Sequence, residues 1–234
     1  MKNSLSFTLF ILLTFSSLNS FALADFATSE ELRMKYPSID DGSQRVEKKE
    51  ILCPFWRLIE RSGTLDTINQ AKESDIIISI LNIAAKAKEF GCKWVECAAV
   101  ATLVSAGQNT HPGTTNMMSV NISKLHKARG VAHDCGLTFE KGGTEVSDIR
   151  RSQTLARLKV FADQKQGTLT HDDLMKVKLK ICEDEDVTIS APGELEVGLI
   201  FSFLGGKDRG FVEYSDVVRF FHAKIPLTKS IDKI

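Results

Sequence analysis

The sequence predicts a mostly α protein, folded as a single compact helical domain. Three observations carry that expectation. Apolar residues recur at helical spacing in one segment after another, helix start and stop signals bracket those segments, and no convincing run of alternating residues announces a sheet. At 234 residues the chain is long enough to bury a core without staples. Charged residues make up 26% and hydrophobic residues 43%, which excludes a disordered or collagen-like chain. The 30 Lys+Arg balance 30 Asp+Glu, so there is no electrostatic footprint for nucleic acid or an anionic membrane.

The elements follow in order. Lys2, the apolar run Phe7 to Phe15 and the small residues of Ala22-Leu23-Ala24 read as a signal peptide over 1–24, cut after Ala24. The apolar run is too short to span a bilayer. The mature chain is then secreted or periplasmic, with no membrane association after cleavage. Residues 25–50 are polar and read as an extended arm, and 51–234 as the folded domain. Pro54 opens a helix through Arg61 that Gly63 stops. Ser74 caps a second helix whose inner face is Ile76, Ile77, Ile80, Leu81, Ala84 and Ala87. Trp94 to Ala106 is an apolar helix, and Gly107 to Thr115 a loop. Val120 to Lys127 is a short helix ending before Gly130, and Ser147 to Phe161 a longer one. Thr170 to Asp173 forms a capping box for a helix to Ile181. Glu194 to Leu204 and Glu213 to Lys224 complete the set, the latter stopped by Pro226.

The five cysteines are Cys53, Cys92, Cys97, Cys135 and Cys182. In an exported chain disulfides persist, and an odd count leaves at least one thiol unpaired. No Cys-x-x-Cys pair is present, so neither a zinc ribbon nor a c-type haem attachment is supported. With Cys53 set aside, four cysteines permit three pairings, among them Cys92 with Cys97 and Cys135 with Cys182.

Three short constellations carry chemistry. Cys53 immediately precedes a proline-initiated helix, where unpaired N–H groups and the helix dipole favour thiolate. Thiolate is the form that binds soft iron, including haem iron. His133-Asp134 places a carboxylate beside an imidazole, which can orient the ring. Gly193-Glu194 puts a carboxylate at the start of an apolar helix.

In order and spacing these resemble the fungal haem-thiolate peroxidases, the family of chloroperoxidase and the unspecific peroxygenases. That family has Pro-Cys-Pro followed by a helix to His-Gly-x-Leu; here Cys53-Pro54 leads to Arg61-Ser62-Gly63-Thr64-Leu65. Its distal Glu-His-Asp motif matches Ala132-His133-Asp134, preceded by Leu125 to Gly130. Its Thr-Leu-Thr helix resembles Thr168 to Leu174, its Gly-Glu helix start Gly193-Glu194, and its Phe-Phe…Pro element Phe220 to Pro226. The resemblance spans Ile51 to Pro226.

It implies a secreted enzyme with a haem pocket in its helical domain. Such an enzyme uses hydrogen peroxide to oxidise, halogenate or oxygenate a small organic or halide substrate. The cofactor is haem b, with Cys53 as axial ligand of the iron. Glu194 is the acid-base for peroxide, His133 holds it by a hydrogen bond, and Asp134 orients the imidazole. Three departures stand out. Leu52 replaces the first proline, and Val187 stands where the peroxygenase branch has arginine. Ala132 and Gly136 replace the carboxylate and hydroxyl that hold magnesium in the family, so no dedicated magnesium is expected.

A second family competes. Lys207 to Phe221 and Gln166 to Asp173 resemble the second halves of EF-hands, with Gly210 and Gly167 at the turn and Asp216 and Asp173 closing the loops. The residues at loop positions one, three and five are Gly205, Lys207 and Arg209 in one case and Ala162, Gln164 and Gln166 in the other. Neither set suits calcium. The alternative function is therefore a degenerate EF-hand-like binding module without catalysis.

The export reading makes a direct prediction. Intact-mass analysis of the exported protein should give a chain beginning at Asp25, and a cytosolic pool retaining Met1 contradicts it.

Overall fold

Pro54 starts a short helix whose residues are almost all buried. The computed structural model describes residues 28–39, 45–70, 75–92, 94–108 and 118–227. The signal segment with Ala22-Leu23-Ala24, the Ser74 cap and residues 109–115 of the loop lie outside the described residues.

Helix α1 is Ser29–Lys35 and α2 is Pro54–Arg61. Strand β1 (Ile77–Ser79) runs into α3 (Ile80–Glu89), which packs against α4 (Trp94–Gln108). Strand β2 (Ser119–Asn121) pairs antiparallel with β1, setting Ile78 opposite Val120. A 3-10 turn follows over Ile122–Lys127. The second half contains α5 (Asp148–Gln164), β3 (Thr168–Leu169), α6 (His171–Asp184), α7 (Ala191–Phe203), α8 (Gly206–Arg209), β4 (Val212–Glu213) and α9 (Tyr214–Phe221). The architecture is mostly helical. Among the described residues no helix is long and apolar enough to cross a membrane.

Helix α2 buries Pro54, Trp56, Arg57, Leu58, Ile59 and Glu60, so both its apolar and its charged residues face protein. Charges in such a place persist only when paired. Arg57 donates to the carbonyls of Ile51 (2.9 Å), Leu52 (2.7 Å) and Phe221 (3.2 Å). Its Nε lies 2.9 Å from the Glu47 carboxylate, which also takes Arg151 at 2.9 Å. Glu60 is held by Arg45 at 2.7 Å and Lys48 at 3.3 Å. Helix α9 packs on α2 and α5, with Phe220 and Phe221 buried.

Several sequence expectations change. The segment 25–50 is not simply an extended arm. Thr28 and Glu31 form a reciprocal capping box that starts α1, and Leu32 and Ile39 are buried in the core. Residue 50 is therefore not a boundary in packing. The helix expected from Ser74 begins only at Ile80, capped by Ser79. The β-branched run Ile76-Ile77-Ile78 takes extended backbone and pairs with β2 instead. Val120 likewise belongs to a strand, and the helix expected there is a 3-10 turn. The short α8 had no periodic signal of its own. Helices α4 to α7 and α9 lie where periodicity and caps put them, to within a few residues.

The second half forms two helix–loop–helix units joined through β3 and β4. Leu169 faces Val212 across the bridge, both fully buried, and the Tyr214 N–H donates to the Gly167 carbonyl at 2.8 Å. The acidic residue closing each loop is satisfied by the chain itself. Asp173 receives the Lys165 ammonium on both oxygens, at 2.6 and 2.8 Å, and Asp216 receives the Leu227 N–H at 2.6 Å. Burial pushes the Asp173 carboxyl up, but Lys165 and Thr170 outweigh it and hold the group below its usual value.

Two disulfides form, Cys92–Cys97 and Cys135–Cys182, and Cys53 is free. They close loops of sequence separation 5 and 47. In the chain-entropy picture the longer loop contributes more. Replacing Cys135 and Cys182 by serine should cost about 2–5 kcal/mol. Replacing Cys92 and Cys97 should cost less, and denaturant unfolding of the two double variants checks the order.

Candidate functional site

A cavity of about 960 Å³ lies between α2, α4, α7 and the loop 130–134. Its walls are largely apolar, with Leu52, Phe55, Val100, Leu103, Leu199 and Phe203 among them. Pockets of about 300–1,000 Å³ with apolar walls and few polar groups are the usual form of a small-molecule site. Cys53, His133 and Glu196 are among the polar groups of this one.

Cys53 is the N-cap residue of α2, in extended backbone, with Pro54 fixing the first helical turn. Arg57, one turn on, grips the carbonyls of Ile51 and Leu52 and so sets the path of the chain into Cys53. Burial pushes the Cys53 thiol up, outweighing the downward pull of the Trp56 and Phe55 amides and of the Arg57 charge. The helix start alone predicts a lowered value. The apolar wall reverses it, because desolvation disfavours the thiolate more than the amides favour it.

The second polar group is built by the loop after the 3-10 turn. His133 Nδ1 lies 3.1 Å from the Val131 carbonyl and Nε2 lies 3.3 Å from Glu196 Oε2. A carbonyl only accepts, so Nδ1 carries a hydrogen. The loop is fixed from below by the Cys135–Cys182 disulfide, which ties it to α6. Cys135 sits at φ 52, a left-handed conformation that a side chain rarely adopts. Gly136 follows, and a Cβ there would lie 2.4 Å from the Phe139 ring. A side chain at 136 would fit only if Phe139 shifted, and Ala132, exposed at the cavity edge, offers no side-chain oxygen.

Glu196 is a carboxylate of the site whose side chain is only 11% exposed. It accepts from Lys178 Nζ at 2.7 Å and from the Leu137 N–H at 3.4 Å, besides facing His133. Lys178 is fully buried on α6. Its stem passes under α7 at Gly193, where a Cβ would stand 3.3 Å from Lys178 Cε. Burial alone would push the Glu196 carboxyl up, but the Lys178 charge and the His133 hydrogen bond outweigh it and hold the group down at about 2.

Two expected site residues are placed differently. Glu194 is exposed on the first turn of α7 and does not line the cavity. Residues two apart on a helix diverge by roughly 200°, so Glu194 and Glu196 cannot share a face, and it is Glu196 that turns inward. Asp134 does not orient His133. It is exposed, and its Oδ1 accepts the Gly142 N–H at 3.2 Å, while the Val131 carbonyl does the orienting. The structure thus brings Cys53, His133, Asp134 and Glu196 to one cavity, with Asp134 turned to Gly142, and leaves Glu194 outside it. Lys178 and Arg57 were missed. Lys178 had a signal, a lysine on the core stripe Leu174, Val177 and Ile181.

Among the described residues no group of three or more His, Cys, Asp or Glu is arranged to hold a metal ion. Comparison of the chain with protein-family models, with curated proteins and with solved structures gave no match. Fold and site define a helical protein with an apolar cavity that carries a free thiol and a His–Glu–Lys cluster.

Stability should report the cluster. Glu196→Gln leaves the Lys178 ammonium buried without a counter-charge, which should cost about 3–5 kcal/mol near neutral pH. A depressed folded value contributes stability that is present above the unfolded carboxylate range and lost as pH falls toward about 2. The gap between wild type and Glu196→Gln should therefore narrow below about pH 4.5. Denaturant unfolding near neutrality and again in acid checks both.

Proposed function

We propose that the protein is an exported haem-thiolate peroxidase. In this reading the cavity holds haem b with Cys53 as axial ligand, hydrogen peroxide is the oxidant, and a small organic molecule or halide is the substrate. The observation that carries it is a free cysteine at the N-terminus of a buried helix, on the wall of a cavity of about 960 Å³ that also holds His133 and Glu196. The residues fit the group. The walls are apolar and the volume is at the upper end for small-molecule sites. A thiol that burial keeps protonated loses its proton on coordination. When bound, thiolate-ligated haem supplies the oxidising chemistry, since the sulfur pushes electron density toward O–O cleavage.

The chain supplies the rest. Arg57 holds the entry to Cys53, and Phe55 and Phe203, packed edge to face with ring centroids 4.6 Å apart, give the cavity apolar wall. His133, with the Glu196 carboxylate fixed beside it, stands ready to take up and return a proton between the two oxygens of peroxide, a contribution of typically ~10²–10⁴-fold. Ala132 and the packed Gly136 support a site without magnesium. The disulfides suit an oxidising compartment.

The EF-hand-like module has one observation in its favour, the Leu169–Val212 bridge between two helix–loop–helix units. It assigns no role to Cys53, His133 or the cavity.

The test is a visible spectrum of protein expressed with haem supplied, including the ferrous carbon monoxide form. Wild type should show a thiolate-ligated haem. Cys53→Ala should lose that signature while keeping its far-UV circular dichroism. A colourless wild-type protein would overturn the peroxidase reading and leave the binding module.

A further inference from the structure

We propose that Lys178 is a positioning residue that keeps Glu196 a fixed anion, and that His133 is the group that takes up and returns the proton of the cavity. The use of that proton rests on the peroxidase reading; the assignment of the two roles rests on the geometry of the cluster.

Glu196 is held from three sides, by an ammonium, an imidazole and a backbone N–H. Lys178 has no exposed side-chain surface and reaches Glu196 at 2.7 Å. A proton placed on Glu196 would leave that ammonium buried and uncompensated, which disfavours the neutral carboxyl strongly. The depressed value of the Glu196 carboxyl agrees. Such a group is a weak base. It stabilises a neighbouring positive charge but does not carry the proton itself.

His133 has the complementary constraint. Its Nδ1 hydrogen is committed to the Val131 carbonyl, so the exchangeable position is Nε2. In the neutral ring Nε2 bears a lone pair. In the protonated ring Nε2–H donates to Glu196, whose negative charge compensates the imidazolium. The proton leaves an O–H of the bound reactant and forms an N–H bond at Nε2. That same bond breaks when the proton passes to the second oxygen, so the cluster ends as it began. Other charged or titratable groups on the cavity wall are the Cys53 thiol from α2, on which the Glu196 charge acts, Glu96 and His126, Lys207, Asp208 and Arg209 from α8, and Asp134, which is turned to Gly142. None replaces Lys178 as the partner of Glu196. The disulfide Cys135–Cys182 lies between the two halves of the cluster, four residues beyond Lys178 on α6 and two beyond His133 in the loop. It fixes their separation.

The experiment is nuclear magnetic resonance titration of the mature, haem-free chain, labelled with ¹³C at glutamate and ¹⁵N at histidine. In wild type the Glu196 carboxyl carbon should stay constant from about pH 4 to 8, and the ¹⁵N signals of His133 should show the hydrogen on Nδ1 throughout, with any change of protonation confined to Nε2. In Lys178→Met the Glu196 titration should move up by ~2–3 pH units, into that window, and become visible. Lys178→Arg, which keeps the charge, should return it to a flat profile. A wild-type Glu196 that titrates within that window overturns the proposal, as does a flat profile in Lys178→Met. If Lys178→Met does not fold, the wild-type and Lys178→Arg profiles decide alone. A protein that binds no haem would overturn the peroxidase reading and leave these titrations unchanged, so the two failures are distinct.

Discussion

The half-buried Glu47 carboxylate, shared between the buried Arg57 and Arg151, is the constraint on which the first half of the structure depends. It joins the segment before α2, α2 itself and α5, and both arginines reach the Phe221 carbonyl at the end of α9. Two cations around one anion are tolerable in an apolar interior only because carbonyl oxygens take the remaining N–H groups. Arg57 spends two of its donors on the residues just before Cys53. The node that closes the fold therefore also sets where the free thiol emerges. A neutral side chain at 57 would fill the volume but would leave those carbonyls without donors.

The polar side of the cavity is built on the same plan with different parts. A charged residue from one helix meets one from the next, Lys178 from α6 and Glu196 from α7, and the loop between β2 and α5 delivers His133 onto them. Glycine appears where backbone and ammonium crowd each other, at Gly193 over Lys178, and where an aromatic ring covers the chain, at Gly136 under Phe139. These close approaches, with the Cys135–Cys182 bridge, leave the cluster little freedom to rearrange. The site residues thus sit on packed elements rather than on an open loop, the arrangement that best holds a constellation in place.

Most of the helical half was legible because helices announce themselves locally. Thr170 with Asp173, Ser147 before Asp148 and Pro54 after Cys53 are start signals whose physics lies within four residues. The strands were not legible. Ile76 to Ile78 carries apolar residues at every position, a pattern that fits a buried strand or a helix face equally, and the partner that decides lies at Val120. Site legibility divided in the same way. Cys53 was readable from its neighbour Pro54. The choice between Glu194 and Glu196 was not, because both occupy the same helix start and only the rotation of α7 against α6 selects one. The motif lies on the turn of α7 that reaches the cavity, and it is Glu196 rather than Glu194 that lines it.

The Lys165 ammonium on Asp173 has a consequence for how the second half responds to its surroundings. In a metal-gated helix pair the cation comes and goes with its concentration, and the angle between helices follows. Here the positive charge belongs to the polypeptide and cannot be diluted, chelated or competed away. The helix pair has in effect traded signalling for permanence. The charge that sets α5 against α6 is therefore part of the chain, and the wall that α6 and α7 present to the cavity does not depend on a bound cation at Asp173.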